Sequence, residues 1–142
     1  MSTTFPITLE LRIDWSEIDL FGHVNNVMYM KYVQASRVNY WEKTTIYNHY
    51  IEGKIGPMLA ATSCQFRKPL FYPGNVIIKT GVEFIKNTSF GLHHHLFNQE
   101  GELVVTAEDV IVMFDFNKNE KVQIPNEIRA IIEKTEGRKF PA

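Results

Sequence analysis

Apolar and polar residues alternate at the start of the chain. Leu9, Leu11, Ile13 and Trp15 are interleaved with Glu10, Arg12 and Asp14. A period of two over that length predicts a half-buried strand. The pattern then changes: Val27, Tyr29, Tyr32, Val33, Ser36, Arg37, Tyr40 and Trp41 recur at spacings of three and four. Such spacing places most of them on one broad helical face. The helix is expected to run to about Tyr47, with Asn25 or Asn26 as its N-cap. The polar, glycine-containing stretch 48–56 reads as a connection. Met58 to Arg67 is strand-like and is ended by Pro69, and Tyr72-Pro73-Gly74-Asn75 signals a turn. Residues that favour strands crowd Val76 to Lys86. A turn at Asn87-Thr88, a strand Ser89 to Phe97, a hairpin turn at 98–101 and a strand Leu103 to Phe116 follow. Asn117 to Glu120 turns the chain again. Pro125 then opens a short helix whose apolar stripe is Ile128, Ile131 and Ile132.

The order is therefore one strand, one long helix, about four consecutive strands and a short helix. Strands joined by tight turns pair antiparallel, and a lone long helix must bury its apolar face against the sheet they form. The pattern predicts an α+β domain, a curved antiparallel sheet wrapped round a helix. With 142 residues, the whole chain, 1–142, suits a single domain with one core.

Composition narrows the function classes. The hydrophobic fraction of 44% and the aromatic fraction of 13% are those of a folded globular protein. A net charge of −1 provides no electrostatic attraction for nucleic acid or an anionic membrane. The lone Cys64 cannot form an intrachain disulfide, which suits a reducing, cytoplasmic setting. Met-Ser-Thr-Thr-Phe-Pro lacks a basic region followed by an apolar run, so no secretory leader is expected. No apolar run approaches a membrane span.

The candidate chemistry lies between the first strand and the helix, in Asp19-Leu20-Phe21-Gly22-His23-Val24-Asn25-Asn26. A helix N-terminus exposes unpaired N–H groups and a partial positive charge. A carboxylate beside such an end can attack a carbonyl compound or activate water against it. Asp19 also reads as a capping carboxylate. Gly22 supplies either a special backbone conformation or room for a close approach. His23 reads as a hydrogen-bonding residue that holds the loop, and Glu17 as a solvated strand-end residue. His93-His94-His95 reads as exposed or core-edge histidines and not as a metal site: neighbouring strand residues face opposite ways, so only His93 and His95 could share a metal, and no Cys or carboxylate joins them at metal-site spacing. No glycine-rich phosphate loop is present.

The run Asp19-x-x-Gly22-His23-Val24-Asn25-Asn26-x-x-Tyr29-x-x-Tyr32, closed by Arg37, resembles the 4-hydroxybenzoyl-CoA thioesterase family of the hotdog fold. Lys68-Pro69-Leu70 with Pro73-Gly74, then Asn87-Thr88-Ser89-Phe90, Glu100-Gly101-Glu102-Leu103-Val104 and Ile124-Pro125 continue the match, so it covers nearly the whole chain. The resemblance implies hydrolysis of an acyl-CoA thioester without metal or redox cofactor, coenzyme A being part of the substrate. It implies Asp19 as nucleophile or general base, and the main-chain N–H of Asn26 as the group that polarises the carbonyl. Gly22 and His23 complete that loop. It points to Lys86 and Ser89, in the turn 86–89, for the coenzyme A moiety. Sites at a dimer interface, with dimers pairing into tetramers, are also implied. Gln34 and Ser36 depart from the family's glutamate and alanine, which leaves Asp19 as the carboxylate of choice. Three other readings share the loop: an acyl-carrier-protein thioesterase, a non-catalytic acyl-CoA-binding domain, and a hydratase using His23 as base.

Overall fold

Among the described residues, six strands join into one antiparallel sheet, in the order β1-β3-β4-β5-β2 with β6 paired to β5. They are β1 (Ile7–Arg12), β2 (Ile55–Phe66), β3 (Asn75–Ile85), β4 (Ser89–Phe97), β5 (Leu103–Asp115) and β6 (Glu120–Lys121). The helices are α1 (Asn26–Lys43), α2 (Ile46–Gly53) and α3 (Asn126–Glu136). The computed structural model describes residues 5–141. The expectation of no leader rests partly on residues 1–4, which lie outside the described residues. No helix among those described is long and apolar enough to cross a membrane.

Helix α1 lies on the inner face of the curled sheet and buries Tyr29, Tyr32, Val33, Ser36 and Tyr40. Its first half packs with Ile13, Val24, Leu70, Val76, Ile78, Leu96 and Val105. Its second half packs with Phe90, Leu92, Ile111, Met113 and residues of α3. The spacing of three and four thus gave the buried face, with one exception: Val27, in the first turn, is mostly exposed.

Four expectations about the elements and their pairing change in the structure. The alternating pattern fails at Trp15, which is 72% exposed in a 3-10 turn, Trp15–Glu17, capped by the Asp14 side chain. α1 stops at Lys43 and not near Tyr47. There the Thr44 hydroxyl donates to the Tyr40 carbonyl at 2.6 Å, a local bond that competes with helix continuation, and Thr45 turns left-handed at φ 64°. The stretch read as a connection is α2. Lastly, β2 pairs with β5, not with β3. The segment between β2 and β3 crosses the fold. Arg67 and Lys68 N–H donate to Val104 O, and Leu70 O accepts from Val24 N–H at 2.9 Å. A turn signal before β3 marks where a strand begins, and does not identify its neighbour.

The middle of the core is polar. His94, on the inner face of β4, is fully buried, contrary to the expectation that the three histidines sit exposed or at the core edge. Its Nε2 lies 2.7 Å from Asp109 Oδ2, and its Nδ1 lies 2.9 Å from the Thr80 hydroxyl and 3.1 Å from that of Ser36. The Ser36 and Thr80 hydroxyls also bond one another. Asp109 accepts Arg37 Nε at 3.0 Å, Arg37 Nη2 at 3.2 Å and the Thr62 hydroxyl at 2.7 Å. Burial lowers the His94 pKa, outweighing the pull of Asp109. His94 is therefore neutral, donating from Nε2 and accepting at Nδ1. Burial disfavours the Asp109 charge, but His94 and Arg37 outweigh it and bring its pKa to about 2. Ser36 is thus not idle where the family pattern has alanine: its hydroxyl joins α1 to β3 and β4.

This network makes stability depend on pH. An unfolded His94 takes a proton near its ordinary 6.5, while the folded one resists it. The unfolded chain then binds more protons, so stability falls as the pH drops below that value. Asp109 contributes above its ordinary 3.8 and loses that contribution as the pH falls toward its folded value of about 2. Urea midpoints measured at about pH 7.5 and about pH 5.5 should fall toward the acid side. His94→Gln should flatten that fall. Asp109→Asn leaves Arg37 without its counter-charge and should cost about 3–5 kcal/mol at neutral pH. An Asp109→Asn protein as stable as wild type would contradict this account.

Candidate active site

The loop between β1 and α1 is shaped by side chains binding its own backbone. Asp14 accepts from Ser16 N–H at 3.0 Å, and Asp14 N–H in turn donates to Glu17 Oε1 at 2.8 Å, a capping box. Glu17 is not the solvated residue expected: it is buried. Oε1 also accepts the Tyr32 hydroxyl at 2.7 Å, Oε2 accepts Lys31 Nζ at 2.8 Å, and the Glu17 carbonyl accepts Asn25 N–H at 2.8 Å. Burial pushes its pKa up, but Lys31, the Asp14 N–H and Tyr32 together hold it below the usual carboxylate range. One carboxylate thus ties the loop to the first two turns of α1.

Asp19 folds the next stretch around itself. Its Oδ1 accepts from Phe21 N–H at 2.9 Å and His23 N–H at 3.2 Å, while its own N–H donates to His23 O at 2.7 Å. Oδ2 carries no hydrogen bond among the described residues. Asp19 does not cap α1. That role belongs to Asn25, whose Oδ1 accepts from Val27 N–H at 3.0 Å. Gly22 sits at φ +83° with nothing within 4 Å of where a Cβ would stand, so its need for glycine is conformational. His23 is half-buried, pairs with Phe71 across an isolated bridge and meets the Phe71 ring edge-on at 5.1 Å. Asn26 is the first residue of α1, so its N–H has no carbonyl within its own helix to bond.

Asp19, His23, Val24, Asn26 and Tyr29 line one cleft of about 240 Å³, closed by Phe66, Arg67, Lys68 and Pro69 from the end of β2 and the crossing segment. The carboxylate, the helix start and the histidine that the sequence singled out are therefore brought together. Lys86 and Ser89 are not. Lys86 lines a separate groove of about 950 Å³ with Arg129, Arg138 and Lys139 from the C-terminal segment, beside Phe84, Ile124 and Phe140. Ser89 closes the turn through its carbonyl, which accepts Lys86 N–H at 2.7 Å. That turn lies by the second half of α1, where Phe90 packs with Tyr40, whereas Asp19 lies by the first residue. The 18 residues of α1 span about 27 Å. The sequence did not single out Tyr29 or the cations of the C-terminal segment for the site. Tyr29 was visible at helical spacing from Asn26, but that spacing also marks a core residue.

Cys64 is half-buried, with Sγ 3.2 Å from Met30 Sδ. Burial and the nearby Asp109 charge raise its pKa, so the thiol is not activated. His93 and His95 face the other side of the sheet from His94, where the Phe5 ring lies over both at 4.8 and 4.4 Å. Among the described residues no group of three His, Cys, Asp or Glu is placed to hold a metal ion.

Comparison with known proteins identifies the superfamily. Residues 13–132 match the thioesterase-like superfamily, and the chain belongs to it. It is 30% identical over 127 residues to a chloroplastic acyl-acyl carrier protein thioesterase of Arabidopsis thaliana, covering 86% of this chain and 65% of that protein. Among solved structures, a thioesterase from Thermus thermophilus complexed with coenzyme A and Zn superposes with a TM-score of 0.82. It is 21% identical, over 94% of this chain and 97% of that one. A DHNA-CoA thioesterase from Staphylococcus aureus gives 0.80 at 19% identity, over 92% of this chain and 90% of that one. These likenesses show the hotdog fold, and the superfamily places the chain among thioesterases.

The left-handed turn at Gly22 generates a direct test. Gly22→Ala meets no clash, so its cost is the backbone conformation alone, about 1–2 kcal/mol. Gly22→Asn, which tolerates that region better, should lose less. Thermal melting of the three proteins checks the order; an alanine variant as stable as wild type would contradict it.

Proposed function

We propose that this superfamily member hydrolyses an acyl-CoA thioester, with Asp19 as nucleophile or general base and the Asn26 main-chain N–H polarising the carbonyl. The observation that carries the reading is the Asp19 carboxylate, held on one oxygen by two main-chain N–H groups in the cleft that the first residue of α1 also lines. Either Asp19 attacks the carbonyl carbon, expelling the thiolate and leaving a mixed anhydride for water to open, or it takes a proton from an attacking water. In both routes negative charge develops on the carbonyl oxygen, where an unpaired N–H and the helix dipole favour it. Gly22 and His23 keep the loop in shape, the histidine through its main chain and its contact with Phe71. No further cofactor enters this reading. The narrower placing in the 4-hydroxybenzoyl-CoA thioesterase family rests on the Asp19-to-Tyr32 motif with Arg37.

Coenzyme A as the carrier is supported by the groove at Lys86, where Arg129, Arg138 and Lys139 add three more cations suited to phosphates. The coenzyme A complex of the Thermus protein and the DHNA-CoA ester of the Staphylococcus protein point the same way. Because that groove and the Asp19 cleft lie by opposite ends of α1, one substrate reaches both only if two chains share the site. A homodimer, or a tetramer built from it, meets that need. Two features favour it. β2 is a 12-residue edge strand with unpaired backbone groups on one side. Around Asp19, Leu20 and Phe21 are 94% and 80% exposed, a large apolar surface for a free chain. The identity to the Arabidopsis enzyme favours a second reading, in which the acyl group rides on an acyl carrier protein.

Asp19→Asn keeps size and shape but removes the charge. Turnover of acyl-CoA esters should fall by about 10²-fold or more. Affinity for a non-hydrolysable analogue and the melting temperature should stay close to wild type. An asparagine variant with wild-type turnover would defeat the assignment; hydrolysis of acyl-carrier-protein esters alone would favour the second reading.

The shared site has its own test. Lys86→Ala should raise KM for the CoA ester more than for a truncated pantetheine ester. Mixing Asp19→Asn and Lys86→Ala chains and letting them exchange makes mixed dimers. If each site draws these two residues from different chains, one site of every mixed dimer is intact and activity returns on mixing. No recovery, despite exchange confirmed by mass, would mean that the two residues do not meet across chains.

A further inference from the structure

We infer that the hydroxyl of Tyr29 is a second hydrogen-bond donor to the thioester carbonyl oxygen, acting beside the Asn26 N–H; this rests on reading the Asp19 cleft as the thioesterase site. Tyr29 stands three residues after Asn26 and so lies on the same side of α1. Long side chains on a helix lean toward its N-terminus and cover the preceding turn. The Tyr29 side chain therefore runs back over the first turn, toward the end where the Asn26 N–H is exposed. Both residues line the same cleft as Asp19.

The ring is locked. Tyr29 is 3% exposed, and its ring meets those of Phe66 and Tyr32 edge-on at 5.2 and 6.2 Å. The hydroxyl oxygen accepts Leu70 N–H at 3.0 Å. Leu70 O in turn accepts Val24 N–H at 2.9 Å, so the hydroxyl stands at the closure of the loop. A hydroxyl carries one hydrogen and two acceptor positions. An N–H occupies one acceptor position, and the hydrogen has no acceptor among the described residues. Arg67 and Lys68, which also line the cleft, are cations and cannot accept it. Burial and the neighbouring Asp19 charge raise the phenol's pKa, outweighing the Leu70 N–H, so the hydroxyl keeps its proton. The result is a rigid, protonated donor with its hydrogen uncommitted, beside a carboxylate and a free main-chain N–H.

In the reaction the hydroxyl gives up no proton. As the carbonyl carbon becomes tetrahedral, the oxygen gains the charge of the former C=O π pair, and the Tyr29 and Asn26 bonds to it strengthen together. When the tetrahedral species collapses, the C=O bond re-forms, the C–S bond breaks and the thiolate leaves. Such a donor acts on turnover more than on ground-state binding.

Tyr29→Phe keeps the ring and removes the donor. Turnover of benzoyl-CoA should fall by about 10²–10³-fold, the scale of one oxyanion donor, while affinity for a non-hydrolysable thioether analogue changes little. The variant also orphans the Leu70 N–H, so its melting temperature should drop. Tyr40→Phe is the control. It loses a buried bond of 2.8 Å to Glu136 by the far half of α1, and should lower the melting temperature without lowering turnover. Direct evidence comes from the carbonyl stretch of benzoyl-CoA labelled with carbon-13 and bound to the slow Asp19→Asn protein. Adding Tyr29→Phe should move that stretch back toward its value in free solution. An unmoved stretch, or turnover retained while only the melting temperature falls, would overturn the inference. So would a slowed variant whose main change is a shift of the acid limb of its pH profile, since the hydroxyl would then serve Asp19. The stretch still decides the question if wild type hydrolyses no ester, which separates failure of this inference from failure of the thioesterase reading. Failure of benzoyl-CoA to bind at all would count against both.

Discussion

The cleft depends on the distance between a loop carboxylate and a helix end, and the buried Glu17 carboxylate holds that distance. Its two oxygens collect a main-chain N–H from the loop and two side chains from α1, and its own carbonyl takes the N–H of the helix cap. Asp19 follows two residues later in the loop, and Asn26 directly follows that cap. A buried carboxylate is costly unless its lone pairs are used, and here they are. This makes the loop-to-helix geometry a property of the core and not of a mobile surface turn. The crossing segment adds a second hold from the other side, through Leu70 to Val24 and to the Tyr29 hydroxyl.

The same economy of buried charge recurs in the middle of the sheet. Asp109 gathers His94, Arg37 and Thr62, so strands β4, β5 and β2 and helix α1 meet on one carboxylate. Breaking any one member would leave others buried without partners, which is more damaging than never having had them. The network separates the two apolar clusters along α1 and fixes the rotation of the helix about its axis. That rotation decides which side chains of α1 face the Asp19 cleft.

Two clefts of different chemistry lie by the two ends of α1. A carboxylate and a helix start occupy one end, and a groove rich in cations occupies the other. Exposed apolar residues beside Asp19 and the open edge of β2 are costly features for a lone chain. Both are reconciled if a second copy covers them, which is the arrangement proposed for the complete site.

Local periodicity was enough for most elements. The helical spacing from Tyr29 to Tyr40 named the buried face of α1. The strand from Ser89 to Phe97 was legible at both ends because turn residues bound it. The loop around Asp19 was legible because glycine, asparagine and carboxylate each carry a local backbone preference. Periodicity could not tell that Glu17 is buried, since a glutamate next to a strand end looks solvated until Tyr32 and Lys31 arrive from a helix. Nor could it place His94 in the core, because three adjacent histidines give no sign of which face the helix covers. The pairing of β2 with β5, the distance between Lys86 and Asp19, and the hold of Leu70 on Tyr29 join residues far apart along the chain. Sequence alone therefore determined most of the elements and the candidate loop around Asp19, whose causes lie within a few residues of each position. Tertiary structure alone decided which of those residues meet, because burial and hydrogen-bond pairing depend on partners that only folding brings into contact.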